Sequence, residues 1–167
     1  LQQIYMRFTP LARQKKLEFV IECSESIYAS IDREALTKII SNLFTNAIKY
    51  SETYIHVRLW MEDTCWFLSV CNDGNEMREE IFKPFIQYKD GFSRKVSGTG
   101  IGLALARSLA ELHEGNLIMD DSQKQNCFIL SLPVKHEHTI AISKSEVKLK
   151  EDPKEEDPGQ LQQKPRY

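Results

Sequence analysis

The sequence predicts an α/β domain: a mixed, mainly antiparallel sheet with helices on one face. Three observations predict it. Short runs rich in β-branched and aromatic residues mark strands, two longer segments carry helical stripes, and most strands are adjacent to another strand instead of alternating with helices. That order does not fit a doubly wound parallel sheet.

Leu17–Cys23 alternates apolar and polar residues and reads as a strand. Asp32 precedes a long helical pattern and can cap it. Leu36, Ile40, Leu43 and Ala47 then fall on one stripe of that helix. Tyr54–Met61 and Trp66–Cys71, joined by Glu62, Asp63 and Thr64, read as a hairpin. Glu76–Phe85 reads as a short helix ended near Pro84, and Gln87–Ser97 as a loop. Gly100–His113 is a second strong helix, stopped at Gly115. Leu117–Met119 and Phe128–Leu132 are the last strands.

The chain has 167 residues, enough for one domain and a tail, with 41% apolar residues to build a core. Its net charge of −2 argues against a general polyanion binder such as a nucleic-acid protein. No apolar run is long enough to span a membrane, and the N-terminal residues carry no signal core. Cys23, Cys65, Cys71 and Cys127 show no CxxC pair or disulfide-scaffold spacing; they read as reduced, cytosolic and mostly buried. Beyond Val134 the composition turns polar, and three of the six prolines fall there. Residues 135–167 therefore read as a flexible charged linker, with at most a short strand at His138–Ile142.

Three constellations carry the chemistry. Asn42, Asn46 and Lys49 recur on one helical face beside the apolar stripe. A carboxamide oxygen can ligate Mg²⁺ without adding negative charge beside phosphates, and Lys49 can pair with a phosphate oxygen. A solvated polar face would give the same spacing. Next, Asn72, Asp73, Gly74 and Asn75 follow a strand. They form either an ordinary turn or a site where an amide or carboxylate accepts a hydrogen bond from a purine amine, with Gly74 allowing close approach. Finally, Gly98-Thr99-Gly100-Ile101-Gly102-Leu103 opens the second helix. It fits neither G-x-G-x-x-G nor a Walker A loop, but exposed N–H groups at a helix N-terminus make an anion site. Lys89, Arg94 and Lys95, in the loop before it, form either a basic lid or chance surface charges.

In this order and spacing, these stretches resemble the ATP-binding catalytic domain of sensor histidine kinases. Asn42–Tyr50 resembles the N box, Val70–Met77 the first glycine box, Ile81-Phe82-Lys83-Pro84-Phe85 the F box, and Gly98–Leu103 the second glycine box. The resemblance covers roughly residues 10–134, with residues 1–9 as the end of a preceding helix or linker. It implies the two-layer α/β sandwich shared with gyrase, Hsp-type chaperones and mismatch-repair ATPases, with ATP and Mg²⁺ as cofactors. By the same resemblance, Asn46 ligates Mg²⁺, and Asn42, Lys49 and Tyr50 contact the nucleotide. Gly100 and Gly102 lie on the phosphate side, and residues 86–97 form the lid. Asn72, Asp73, Gly74, Met77, Phe85, Lys89, Gly98, Thr99, Ile101 and Leu103 complete the expected nucleotide surroundings.

Some positions depart from the family pattern. Asn72 stands at the adenine-binding position where the family has Asp, and Asp73 follows one step later. Glu76 replaces the second glycine, Gln87 stands where an Arg is frequent, and Asn126-Cys127 stands where Gly-Thr is common. ATPases of this fold carry a general-base Glu four residues before the Mg²⁺ ligand; here that position is Asn42, which cannot act as a base.

The implied reaction is transfer of the γ-phosphoryl of ATP to a histidine on a separate dimerisation domain. His56, His113, His136 and His138 do not match the family's acceptor motif, so the chain reads as a catalytic fragment and a monomer in isolation. The tail would suit a linker to a response-regulator receiver domain, as in hybrid kinases. The resemblance further implies a cytoplasmic domain of a membrane-anchored parent, with no direct membrane contact by this fragment. A hydrolytic module of the same fold and a degenerate docking pseudokinase are the alternatives.

Overall fold

The computed structural model describes residues 1–23, 31–86, 99–120, 122 and 125–134. The expected loop at 87–97, the possible strand at His138–Ile142 and the linker at 135–167 lie outside them. The elements run α1 (Gln2–Gln14), β1 (Glu18–Cys23), α2 (Arg33–Tyr50), β2 (Tyr54–Glu62), β3 (Cys65–Asn72), a 3₁₀ turn (Glu79–Phe82), α3 (Gly102–Leu112), β4 (Asn116–Met119) and β5 (Asn126–Pro133). The five-stranded sheet has the order β1-β2-β3-β5-β4. Among the described residues only β1 and β2 pair in parallel; the other neighbours are antiparallel. The fold is therefore the mixed, mainly antiparallel sheet that the paired strands predict.

Strand alternation decides which face is covered. Ile55, Val57, Leu68, Val70, Phe128, Leu130 and Leu132 are almost fully buried. They share a core with Ile39, Ile40, Leu43, Phe44 and Ala47 of α2 and with Leu103, Ala106 and Ala110 of α3. On the opposite face Trp60 stacks on Phe67 at 5.2 Å, with the Arg58 guanidinium 5.5 Å from the Trp60 ring. Among the described residues no helix is long and apolar enough to cross a membrane.

Helix α2 starts where Asp32 accepts from the Glu34 and Ala35 backbone N–H groups. Its C-terminal carbonyls are met from elsewhere: Lys15 Nζ donates to Ile48 O at 2.8 Å and Lys49 O at 3.3 Å.

Four expectations need correction. The N-terminal helix does not end within residues 1–9 but continues through Pro10 to Gln14. Pro10 has no N–H for the Met6 carbonyl, yet packing outweighs that loss. Ile4 and Ala12 are buried, and Phe8 and Phe19 both meet Phe44 edge-on. The expected helix over Glu76–Phe85 shrinks to one 3₁₀ turn, because Arg78 is extended and Lys83, ahead of Pro84, leaves the helical region. Gly115 follows α3, but the left-handed residue there is Glu114 (φ 61°). Gly115 is needed for space, since a Cβ would come within 2.2 Å of Ser131 O. The cysteines, finally, are not all reduced and buried. Cys71 and Cys127 form a disulfide, Cys23 is exposed and Cys65 half-buried. Cys71 and Cys127 are 56 residues apart in sequence but directly opposite each other on β3 and β5.

Candidate functional site

A cleft opens between α2 and the start of α3. It is lined by Asn42, Thr45, Asn46, Lys49 and Tyr50 on one side and by Thr99, Gly100, Gly102 and Leu103 on the other, with Ile81 and Ile86 at its edge. The carboxamide stripe thus faces the glycine-opened helix. The helices meet at one tight point, where a Cβ on Gly102 would lie 2.7 Å from Asn42 Oδ1. Gly100 has a φ of +70°, and a Cβ there would lie 2.7 Å from Ile86 O. Any side chain at 102 would press into the amide stripe, and one at 100 would also strain the backbone.

Asn42 donates from Nδ2 to Lys38 O at 2.9 Å. Asn46 directs Nδ2 toward Met77 Sδ at 3.9 Å, which ties the stripe to the turn after β3. Lys49 Nζ lies 4.7 Å from the centre of the Tyr50 ring. The Phe85 N–H donates to Gly100 O at 2.9 Å, so the flanks of the 87–98 segment meet at the cleft. The 3₁₀ turn is fastened to α3 by Arg107, which pairs with Glu79 and sits 4.7 Å from the Phe82 ring centre.

The turn after β3 divides the roles of Asn72 and Asp73. Asn72 is fully buried, and neither Oδ1 nor Nδ2 has a hydrogen-bond partner among the described residues. Asp73 is turned to the α2–β2 connection. It accepts from the backbone N–H groups of Glu52, Thr53 and Tyr54 at 3.0–3.2 Å and from the Thr53 hydroxyl. Burial raises its pKa, but these bonds outweigh that and hold it down at about 2, against an ordinary 3.8. Gly74 packs against Tyr50 so closely that a Cβ would fall 1.8 Å from the Tyr50 carbonyl oxygen.

Of the residues expected at the nucleotide, Asn42, Asn46, Lys49, Tyr50, Thr99, Gly100, Gly102 and Leu103 line the cleft. Met77 is buried and touches Asn46. Ile101 is not among the lining residues, and Phe85 points away with 74% of its surface exposed. Phe82 takes the buried place instead, edge-on to Phe128 at 5.9 Å. Lys89 and Gly98 lie outside the described residues.

Ile81 of the F-box stretch and Ile86, first residue of the expected lid, also line the cleft, as does Thr45, which nothing in the sequence singles out. Nor does the sequence reading mark Asn126 as a support. Asn126 is buried and spends its side chain on the turn. Oδ1 accepts from the Met77 N–H at 2.7 Å, and Nδ2 donates to the carbonyls of Gly74 and Asn75 at 3.1 and 2.8 Å. Nothing in its local sequence signals this role.

The donor set suits a magnesium-bound nucleoside triphosphate. Asn42, Asn46 and Lys49 line the cleft across from Gly102 and Leu103 at the start of α3, where helix N–H groups favour an anion.

Comparison with known proteins agrees with this geometry. Residues 31–136 match the family described as histidine kinase-, DNA gyrase B- and HSP90-like ATPase. The sensor histidine kinase HprS of Escherichia coli is 31% identical over 128 residues, which cover 74% of this chain and 27% of HprS. Hybrid signal transduction histidine kinase D of Dictyostelium discoideum is also 31% identical, over 76% of this chain and 9% of that protein. The chain thus spans only a minor part of either relative's length. Among solved structures, the nucleotide-free catalytic domain of histidine kinase ThkA superposes with a TM-score of 0.69 at 26% identity, covering 80% of this chain and 90% of that domain. A match across more than half of the chain, over the segment that builds both walls of the cleft, places it in the histidine kinase-, DNA gyrase B- and HSP90-like ATPase family.

Proposed function

We propose that the chain is the catalytic domain of a sensor histidine kinase, binding Mg²⁺-ATP in the α2–α3 cleft for phosphoryl transfer to a histidine on a separate dimerisation domain. The observation that carries this reading is the amide stripe of α2 facing the glycine-opened start of α3, with Gly102 against Asn42. In this reading Asn46 Oδ1 holds the metal, Lys49 meets a phosphate oxygen, and the N–H groups after Gly100 receive the phosphates. Bound ATP supplies the transferable phosphoryl group; the chain's own residues contribute position and charge.

Transfer is favoured over hydrolysis because Asn42, one turn before Asn46, has no basic group to activate water. The dimerisation domain and a receiver domain are the partners this reading calls for. A hybrid parent draws support from the printed name of the Dictyostelium relative and from the polar composition of residues 135–167, and a membrane-anchored parent rests on the resemblance to sensor histidine kinases alone.

The test is Mg²⁺-dependent binding of a fluorescent ATP analogue, followed by addition of a histidine-bearing dimerisation domain. Saturable binding and acid-labile phosphorylation are expected. Phosphate release to water without transfer would favour the ATPase reading, and no binding would favour a docking module.

A further inference from the structure

We propose that Cys71 and Cys127 are a dithiol–disulfide modification site whose redox state sets how tightly the α2–α3 cleft binds Mg²⁺-ATP. The proposal rests on the nucleotide reading above and adds a control on that same site.

The pair sits where two strands meet their ends. Cys71 is the next-to-last residue of β3 and Cys127 the second of β5, and a disulfide joins them directly across the ladder. One step outward, Asn72 pairs with Asn126 as the last rung of that ladder. Asn126 is the residue that shapes the turn, through the Met77 N–H and the carbonyls of Gly74 and Asn75. The turn in turn bears on the α2 wall at two places. Met77 Sδ lies 3.9 Å from Asn46 Nδ2, and Gly74 packs against the Tyr50 carbonyl. Asn46 and Tyr50 both line the cleft. The end of a ladder opens locally more readily than its middle. With the bond closed, the Asn126 rung is pinned and the turn keeps the form that meets α2. With the bond open, that rung frays more often and the turn spends less time in that form.

The surroundings supply a base for the exchange. His56 stands directly opposite Cys71 on β2, so His56, Cys71 and Cys127 form one row on the sheet face away from the helices. An imidazole beside a thiol can take its proton, and the thiolate is the attacking species. Glu22, with a carboxylate oxygen 3.2 Å from His56 Nε2, steadies the imidazolium that results. The Cys71 thiolate attacks one sulfur of a small disulfide such as oxidised glutathione; that S–S bond breaks and one glutathione thiolate leaves. The Cys127 thiolate then attacks the Cys71 sulfur of the mixed disulfide and expels the second glutathione thiolate. In all, two cysteine thiols give up two electrons and two protons, and one oxidised glutathione becomes two thiols. Reduced glutathione runs the sequence backward. Both cysteines are buried, so exchange in either direction goes through local opening of the strand ends.

The experiment equilibrates the whole 167-residue chain in glutathione buffers that run from oxidising to reducing, with Cys23 and Cys65 left in place. Alkylation and peptide mass spectrometry report the Cys71–Cys127 linkage. Mg²⁺-ATP affinity, read by displacement of a fluorescent ATP analogue, should be at least about fivefold weaker for the reduced chain, the lower end of ordinary coupling between sites. Linkage requires the reciprocal effect. Saturating Mg²⁺-ATP should raise the glutathione ratio at half-reduction, squared thiol over disulfide, by the same factor. Cys71→Ser should match the reduced chain in every buffer; if it does not fold, the two forms of the wild type make the comparison. A bond that stays closed at every ratio, or never closes, overturns the proposal, as does an affinity difference smaller than that factor. Global unfolding on reduction, which a thermal melt reports, also overturns it, because the device is local. If neither form binds nucleotide, the nucleotide reading fails on its own. The device is then read from hydrogen exchange of the Met77 amide, which should be at least about fivefold faster in the reduced chain, and a smaller change overturns it.

Discussion

The α2 wall of the cleft and the turn that packs against it are built in different ways. On the α2 side, Asn42, Asn46 and Lys49 sit on one continuous helix, and their relative positions follow from its pitch alone. In the turn after β3, residues 73–77 have no regular backbone to fix them. Their shape comes from Asn126, 49 residues beyond Met77, and from Asp73 reaching back to residues 52–54. The α2 wall is set by local periodicity, the turn by long-range hydrogen bonds. Damage to the first should therefore alter binding while sparing the fold, and damage to the second should weaken the fold and binding together.

Asn126→Ala tests the turn most severely. It leaves the Met77 N–H and the carbonyls of Gly74 and Asn75 without their buried partner. A loss of about 3 kcal/mol is expected in urea unfolding, together with weaker nucleotide binding. Undiminished stability would mean that the turn holds its own shape. Asn46→Ala makes the complementary break on the helix wall. Mg²⁺-dependent nucleotide affinity should fall by about 100-fold, or about 2.7 kcal/mol, with the melting temperature of the unliganded chain nearly unchanged. A large drop in that temperature would show that Asn46 supports the fold through Met77.

Asp73→Asn sharpens the comparison within the turn itself. Its carboxylate is held at about 2, below the ordinary 3.8, so the unfolded chain binds more protons between those values. The stability it contributes is full above about pH 4 and is lost as pH falls toward 2. The variant should be less stable by about 2 kcal/mol at neutral pH and lose part of the acid-unfolding slope between pH 4 and 2. Unfolding measured across that range checks both. Arg107→Ala gives the smallest effect. It removes the cation over the Phe82 ring and its pairing with Glu79, on a partly exposed side chain, for about 1 kcal/mol. A thermal melt measures this effect.

Much of the molecule is legible from residue order. The Asp32 cap, the α2 stripe and the β2–β3 hairpin all obey short-range rules, and the structure has them at the expected places. The 3₁₀ turn reads as a longer helix in sequence, because helical propensity there competes with Pro84 and with the Met77 N–H being drawn to Asn126. The N-terminal helix runs past residue 9, where the sequence places the end of a preceding helix or linker, because aromatic packing on Phe44 carries it through Pro10. Adjacent Asn72 and Asp73 are both plausible base contacts in sequence; only the fold gives them opposite directions.

By itself, the sequence determined the α/β class, the stripe of amides on one helix and the glycines that open another, because periodicity and backbone freedom act over a few residues. The tertiary structure decided that Asp73 serves the backbone, that Asn72 remains buried without a partner among the described residues, that Phe82 and not Phe85 fills the core, and that Cys71 meets Cys127. Each of these depends on strands and turns that are distant in sequence coming into register, which sequence spacing does not encode.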